Sequence, residues 1–276
     1  MNRLLMFFLF PFATLHAGLD IVIPCIEKDV EILPYVIDGA IENLEDVENI
    51  YLVSPTNFID HPKVIWIDEG SFPFSKEEVA RALAKSDSSY QKLLSPGGRV
   101  GWFLQQLIKL YAAFVIPDLK SDFLILDADT VFINPVSFYN AEGETLYATS
   151  VEKHLPYFEH MKRLHPSFKR FYPKMSGIVH HMLFQKPILK DLFQLVESYH
   201  NKPFWEAFCH SVTPGQEHLS GASEYEIYFN FIFSREYPVK IRPLKWSNVT
   251  HLRDLEVWKK KGLHFVSSHH HCREDK

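Results

Sequence analysis

Two carboxylates one residue apart, Asp127 and Asp129, close the apolar run Phe123-Leu124-Ile125-Leu126 and precede a second run, Val131-Phe132-Ile133. In an extended segment residues i and i+2 project to the same side, so the two acids should point together. Carboxylates that close repel each other and stay ionised only beside a cation. Mg²⁺ takes such oxygen ligands while keeping water and substrate phosphates in its shell. The pattern therefore predicts a site for a divalent cation and a phosphate group. A solvated acidic turn after a strand is the plainer alternative, because D-x-D alone is a weak motif. Two further features bear on chemistry. His180 and His181 titrate near neutrality and could meet phosphate or an acceptor group, although single histidines are more often satisfied structural residues. Ser223-x-x-Glu226 reads as a helix capping box, which makes Glu226 structural and leaves Glu224, in the first turn of the same helix, as the freer carboxylate.

These residues need a frame. Leu19–Pro24 is a short β-branched run ended by proline, 29–44 carries apolar residues at helical spacing, and 49–55 and 64–67 read as further strands. Strand, helix, strand, strand implies a βαβ start and a mostly parallel, twisted sheet flanked by helices, an α/β single domain over 18–276. Such sheets bind ligands at the carboxyl ends of their strands, where 121–126 delivers Asp127 and Asp129. The stretch 75–94 is polar and helical. Ser95-Pro96-Gly97-Gly98-Arg99 then breaks the chain before a strong helix starting near Gly101, whose Phe103, Leu107, Leu110, Tyr111 and Phe114 should face the core. On that helix Gln105 and Lys109 are i,i+4 neighbours. Ser176 to Phe184 reads as a strand-to-helix junction lining the site. The clusters around Phe168 and Phe171-Tyr172, and Phe229, Phe231 and Phe233, read as core, with Trp102 and Trp246 as stacking candidates.

Composition narrows the function classes. Of 276 residues 46% are hydrophobic and 14% aromatic, enough apolar material to exclude a disordered chain. With 29 basic against 34 acidic residues the net charge is -5, so there is no global footprint for nucleic acid and any ligand must be captured locally. Cys25, Cys209 and Cys272 are too few and too scattered for a disulfide framework or a zinc motif. Met1-Asn2-Arg3, the apolar run 4–15 and the small residues Ala17-Gly18 give residues 1–17 the pattern of a signal or membrane-targeting segment. Pro11 and Leu15 depart from it. The run is too short for an ordinary spanning helix, yet it allows membrane association through residues 4–15. Targeting would make the chain secreted, periplasmic or membrane-associated; without it the chain would stay cytoplasmic. Asn248-Val249-Thr250 is a glycosylation sequon that matters only in a eukaryotic secretory pathway.

The blocks around these residues sharpen the reading. A strand ending in Asp127-Ala128-Asp129, within a domain that opens βαβ, resembles the D-x-D motif of GT-A-fold nucleotide-sugar glycosyltransferases. Gly101-Trp102-Phe103-Leu104-Gln105-Gln106-Leu107-Ile108-Lys109-Leu110, Asp127-Ala128-Asp129-Thr130, Ser176 to Phe184 and Ser223-Glu224-Tyr225-Glu226 resemble four ordered blocks of a poorly characterised bacterial family of that type. The resemblance runs from about Leu19 to Cys272. It implies a GT-A-like fold and an enzyme that moves a sugar from a nucleoside-diphosphate donor to a glycan, lipid or small-molecule acceptor. It also implies a divalent cation, Mn²⁺ or Mg²⁺, on the donor diphosphate. Asp129 would ligate the metal directly, and Asp127 would share it or reach the ribose. A carboxyl-terminal histidine often completes such a site, which singles out His269, with His264, His270 and His271 as alternatives of register. Arg99 and Lys109 are the cations expected near the diphosphate, Gln105 or Gln106 would bond base or sugar, and His180 would touch phosphate or acceptor. Glu224 would meet the acceptor hydroxyl.

Two rival readings stay open. Asp127-x-Asp129-x-Val131 after an apolar strand also resembles the first motif of haloacid-dehalogenase-type phosphatases, in which the first aspartate is a nucleophile. That motif usually lies on the first strand, and no G-D-x-x-x-D or Asp-Asp pair follows here to complete it. The other rival is a secreted sugar- or nucleotide-binding protein that keeps the scaffold without turnover.

Overall fold

The computed structural model describes residues 18–235, 237–270 and Arg273. The targeting pattern of residues 1–17 and His271 lie outside the described residues. Every residue of the first strand, Leu19–Pro24 (β1), is buried, as a central strand covered on both faces requires. A single-turn 3₁₀ segment, Glu27–Asp29, leads to Leu33–Asn43 (α1), and the chain returns as Val47–Ser54 (β2) and Val64–Asp68 (β3). The helix is shorter than the 29–44 expected, because the 3₁₀ turn occupies its start. The polar stretch 75–94 folds as two helices, Lys76–Leu83 (α2) and Asp87–Leu94 (α3). Serines explain both starts: Ser75 makes a reciprocal capping box with Glu78, and Ser86 caps the second helix.

Val100–Val115 (α4) is the long helix the apolar spacing predicts. Asp122–Leu126 (β4) and Thr130–Phe132 (β5) flank the two aspartates. Next come Thr145–Tyr147 (β6), Leu155–Leu164 (α5), His181–Gln185 (β7), Lys186–His200 (α6), Phe204–His210 (α7) and Glu224–Phe233 (α8). Val239–Ile241 (β8), Trp246–Asn248 (β9), Leu255–Lys260 (α9) and Phe265–Ser267 (β10) follow. The main sheet runs β3-β2-β1-β4-β7. Its first four strands are parallel and β7 is antiparallel to β4, a mostly parallel sheet flanked by helices in one α/β domain, consistent with a GT-A-like fold.

Alternation along the central strands sorts the core into two layers. Val22, Phe123 and Ile125 face one side with α2, α4, α6, α7 and α8, whereas Ile21, Ile23, Leu124 and Leu126 face α1 and the small sheet β5-β10-β9. Phe103, Leu107, Leu110 and Tyr111 are core residues as expected. Phe114 is not: it is 41% exposed, because it lies in the surface groove between α4 and α6, where its ring leans on that of Phe193 at 4.9 Å. Among the described residues no helix is long and apolar enough to cross a membrane.

Candidate functional site

The two aspartates lie in the turn joining β4 to β5, at the carboxyl end of the parallel sheet. The Thr130 N–H donates to the Asp127 carbonyl at 3.1 Å and closes the turn. Because β7 runs antiparallel to β4, its first residues arrive at this same edge, and the Asp127 N–H donates to the His180 carbonyl at 3.0 Å. His180 sits in the left-handed region at φ 63, a conformation that costs a side chain strain and that clusters at functional sites. Its Nδ1 lies 3.6 Å from Asp127 Oδ2, and its ring stands edge-on to Trp246. His180 thus immediately precedes a strand and His181 begins it; the strand-to-helix junction falls later, between Gln185 and Lys186.

The carboxyl-terminal strand reaches the turn from the other side. Antiparallel pairing of β10 with β5 sets Ser267 opposite Thr130, and the Ser268 N–H donates to the Asp129 carbonyl at 2.8 Å. His269 Nδ1 then stands 2.9 Å from Asp129 Oδ2, with its ring 4.9 Å from that of His180. The hydrogen bond to Asp129 raises the His269 pKa above its ordinary value, against burial. His264 sits at the far end of the strand and accepts the Lys245 N–H, and His270 is exposed. The register that selects His269 among the described histidines is set by β10.

Beneath Asp127 lies a closed ionic network. Lys109, only 3% exposed, places its Nζ 2.6 Å from Asp127 Oδ1 and 2.6 Å from Glu224 Oε1. Tyr225 donates its hydroxyl to the same Asp127 oxygen at 2.9 Å, and Gln106 accepts the Glu224 N–H at 3.1 Å. Burial opposes charge on all three ionic groups. For Lys109 the two carboxylates outweigh it and raise the pKa; for Asp127 the ammonium and His180 outweigh it and hold the carboxyl below the usual range. For Glu224 burial wins and the pKa rises, with Asp127 adding to it.

Around the start of α4 a cavity of about 760 Å³ opens between the carboxyl ends of β1 and β2. Its wall includes Lys28, Asp29, Lys76, Arg99, Trp102 and Gln105. Neither aspartate of the turn lines it. The two regions adjoin through residues 27–29, where Arg273 donates to Asp29 Oδ1 at 2.8 Å, to the Lys28 carbonyl and to the Ser268 carbonyl, one residue before His269. Arg99 stacks on Trp102 and donates to Ser220 Oγ at 2.7 Å.

The expected site residues therefore divide. Asp127, Asp129, His180 and His269 come together at the turn. Arg99 and Gln105 face the cavity. Gln106 and Lys109, on the opposite face of the same helix, are buried and bound to protein groups, so neither reaches the cavity. Glu224 is 3% exposed and tied to Lys109 rather than presented to a ligand. Glu226 does not complete the capping box: Ser223 accepts its N–H, but its carboxylate turns inward to Ser176 Oγ at 2.5 Å and Asn230. Gly98 serves packing as well, since a Cβ there would lie 2.1 Å from the Leu93 carbonyl oxygen. Lys28, Lys76, Tyr225 and Arg273 were not singled out by the sequence; Lys28 follows the first strand closely enough for the strand-end rule to have found it.

Among the described residues no group of three or more histidine, cysteine, aspartate or glutamate side chains is arranged to hold a metal ion. Asp129 and His269 offer one carboxylate and one imidazole, and the second oxygen of Asp127, Oδ2, lies 3.6 Å from His180 Nδ1. That donor set suits a cation completed by substrate phosphates and water rather than an all-protein cage.

No curated protein matches the chain. The model of a family of unknown function, DUF6492, matches residues 44–269, a span that takes in α4, the aspartate turn, β7, α8 and His269. The chain belongs to this family.

Proposed function

We propose that the protein is a metal-dependent glycosyltransferase that moves a sugar from a nucleoside-diphosphate donor to a hydroxyl-bearing acceptor. The observation that carries this reading is the convergence of Asp129, Asp127 and His269 on one turn beside a 760 Å³ cavity with three cations on its wall. A cavity of that size accommodates a nucleotide, and Trp102 gives a base a flat face to stack on. Lys28, Lys76 and Arg99 supply cations for the phosphates, although Glu27, Asp29 and Glu69 on the same wall balance them in number and leave the rest of the attraction to a bound metal ion.

Asp129 and His269 would hold Mn²⁺ or Mg²⁺, which as a Lewis acid neutralises charge on the departing nucleoside diphosphate. Arg99 and Lys28 would orient the diphosphate, and Gln105 would bond the base or ribose. Asp127, held ionised by Lys109, keeps the negative field of the turn without itself being consumed. His180, beside Asp127 and Trp246, would touch the donor phosphate or the acceptor. The phosphatase reading has less support, because the aspartates follow β4 rather than the first strand and no G-D-x-x-x-D or Asp-Asp pair follows them to complete a magnesium site.

A panel of nucleotide sugars with Mn²⁺, read by mass detection of transfer to water or to added saccharide and lipid acceptors, tests the proposal. The expected result is release of a nucleoside diphosphate from one donor class, lost in Asp129→Asn. Phosphate release from simple phosphomonoesters would favour the phosphatase. Donor binding without turnover on any acceptor would favour a binding protein.

A further inference from the structure

The D-x-D turn carries a cation of its own. Lys109 Nζ lies at 2.6 Å from both Asp127 Oδ1 and Glu224 Oε1, and at 4.4 Å from the centre of the Tyr225 ring. Tyr225 Oη occupies the remaining approach to Asp127 Oδ1. The side chains of Lys109 and Glu224 are 4% and 5% exposed and that of Asp127 is 18% exposed, so solvent screens the three charges from one another only weakly. The backbone braces the arrangement: Gln106, one turn before Lys109, fixes the amide of Glu224, and β7 fixes the amide of Asp127 through His180. Among the described residues no ammonium is bonded to Asp129, whose carboxylate meets His269 Nδ1 and the Thr130 hydroxyl.

We propose that Lys109 is a positioning residue that withdraws Asp127 from cation binding, so that a divalent ion is held on the Asp129–His269 side and Lys109 sets how strongly the turn attracts it. The proposal rests on the metal-dependent reading above. Its physical content is a charge count. Lys109, Asp127 and Glu224 together carry one negative charge. Removing the ammonium leaves two, frees Asp127 Oδ1 and strengthens attraction for a cation. Neutralising Glu224 leaves none and weakens it. A lysine that merely stabilised the fold would weaken metal binding when removed, as would any change that loosens the turn.

The test uses the full chain and Mn²⁺ alone, with bound ion read by electron paramagnetic resonance and folding by circular dichroism. Lys109→Met should bind Mn²⁺ about tenfold more tightly than the unaltered protein, and Glu224→Gln about tenfold more weakly. Lys109→Met/Glu224→Gln, which restores the original charge count and removes the buried pair, should return to within about threefold of the starting affinity. The double variant also guards against failure of Lys109→Met to fold, since Glu224→Gln and the double variant still give the ordered pair of affinities. Turnover should fall in all three, because Asp127 loses its fixed partner or its geometry. Equal or weaker Mn²⁺ binding by folded Lys109→Met, or unchanged binding by Glu224→Gln, would overturn the inference and leave the glycosyltransferase reading standing. Absence of Mn²⁺ binding by the unaltered protein would overturn both.

Discussion

Asp127 and Asp129 are separated by one residue and occupy opposite electrostatic surroundings. Asp127 points down into the helical layer, onto an ammonium that never meets bulk water, and its charge is fixed by Lys109. Asp129 points across to a histidine delivered by the last strand, beside the cavity wall at residues 27–29. The two side chains are about equally exposed, 18% and 15%, so partner and not depth separates them: an ammonium for Asp127 and an imidazole for Asp129. Helix α4 shows the same division on its two faces, with Gln106 and Lys109 inward and Arg99, Trp102 and Gln105 toward the cavity. A motif of two identical residues is thus a motif of two tasks, and the neighbours decide which residue does which.

The difference is testable first through stability. Lys109→Ala leaves Asp127 and Glu224 facing each other without a countercharge, and removing one partner of a buried pair costs about 3–5 kcal/mol. Urea unfolding should show that loss. A change below about 1 kcal/mol would mean the network is wetter and weaker than its geometry indicates.

Histidines sharpen the contrast with opposite signs. His160 and His181 are buried, and burial pushes their pKa values down to about 4 and about 3. They are neutral when folded and take up protons when unfolded, so their contribution is intact above the unfolded value of about 6.5 and is lost as pH falls below it. Each should cost about 2 kcal/mol between pH 6.5 and 5. His181→Phe, whose ring would sit among Phe132, Phe138 and Phe265, should remove its share of that acid sensitivity. His269 behaves in reverse: its raised pKa means that the Asp129 pair stabilises the metal-free fold at acid pH and fades as pH rises through the folded value.

Smaller effects belong to the rim. Arg273→Ala removes three hydrogen bonds that pin Ser268 to residues 28 and 29, and should cost about 1–2 kcal/mol in urea unfolding while weakening Mn²⁺ binding through His269. Asp129→Asn should change stability by less than about 1 kcal/mol yet abolish the metal response. Unfolding of Asp129→Asn would erase the distinction between the two carboxylates.

Much of this was legible in the residues themselves. Apolar runs and their spacing gave β1, β2, β3, α4 and β4, and the strand-end rule placed the aspartates at the ligand edge. His269 came from the resemblance, which implies a carboxyl-terminal histidine, and the apolar strand before it only chose among the candidates. What the linear pattern could not give was direction around α4. Gln105 and Gln106 differ by about 100° of helix rotation, and Lys109 falls on the inner side because Asp127 and Glu224 wait there; helical periodicity treats a lysine as solvated unless its partners are known. Glu226 was read as a cap because Ser223 precedes it, but Ser176, fifty residues earlier in the chain, competes for its carboxylate. Phe114 keeps the apolar period but falls on the groove between α4 and α6, which is open to solvent.

Thermal unfolding of the full chain with Mn²⁺ and each of the four common nucleoside diphosphates bears most directly on the proposed activity. One diphosphate at about a hundred times its Kd should stabilise the protein by about 2.7 kcal/mol, a rise in Tm of about 5 °C or more, only with Mn²⁺ present and not in Asp129→Asn. No shift with any diphosphate, or the same shift without metal and in Asp129→Asn, would contradict the assignment.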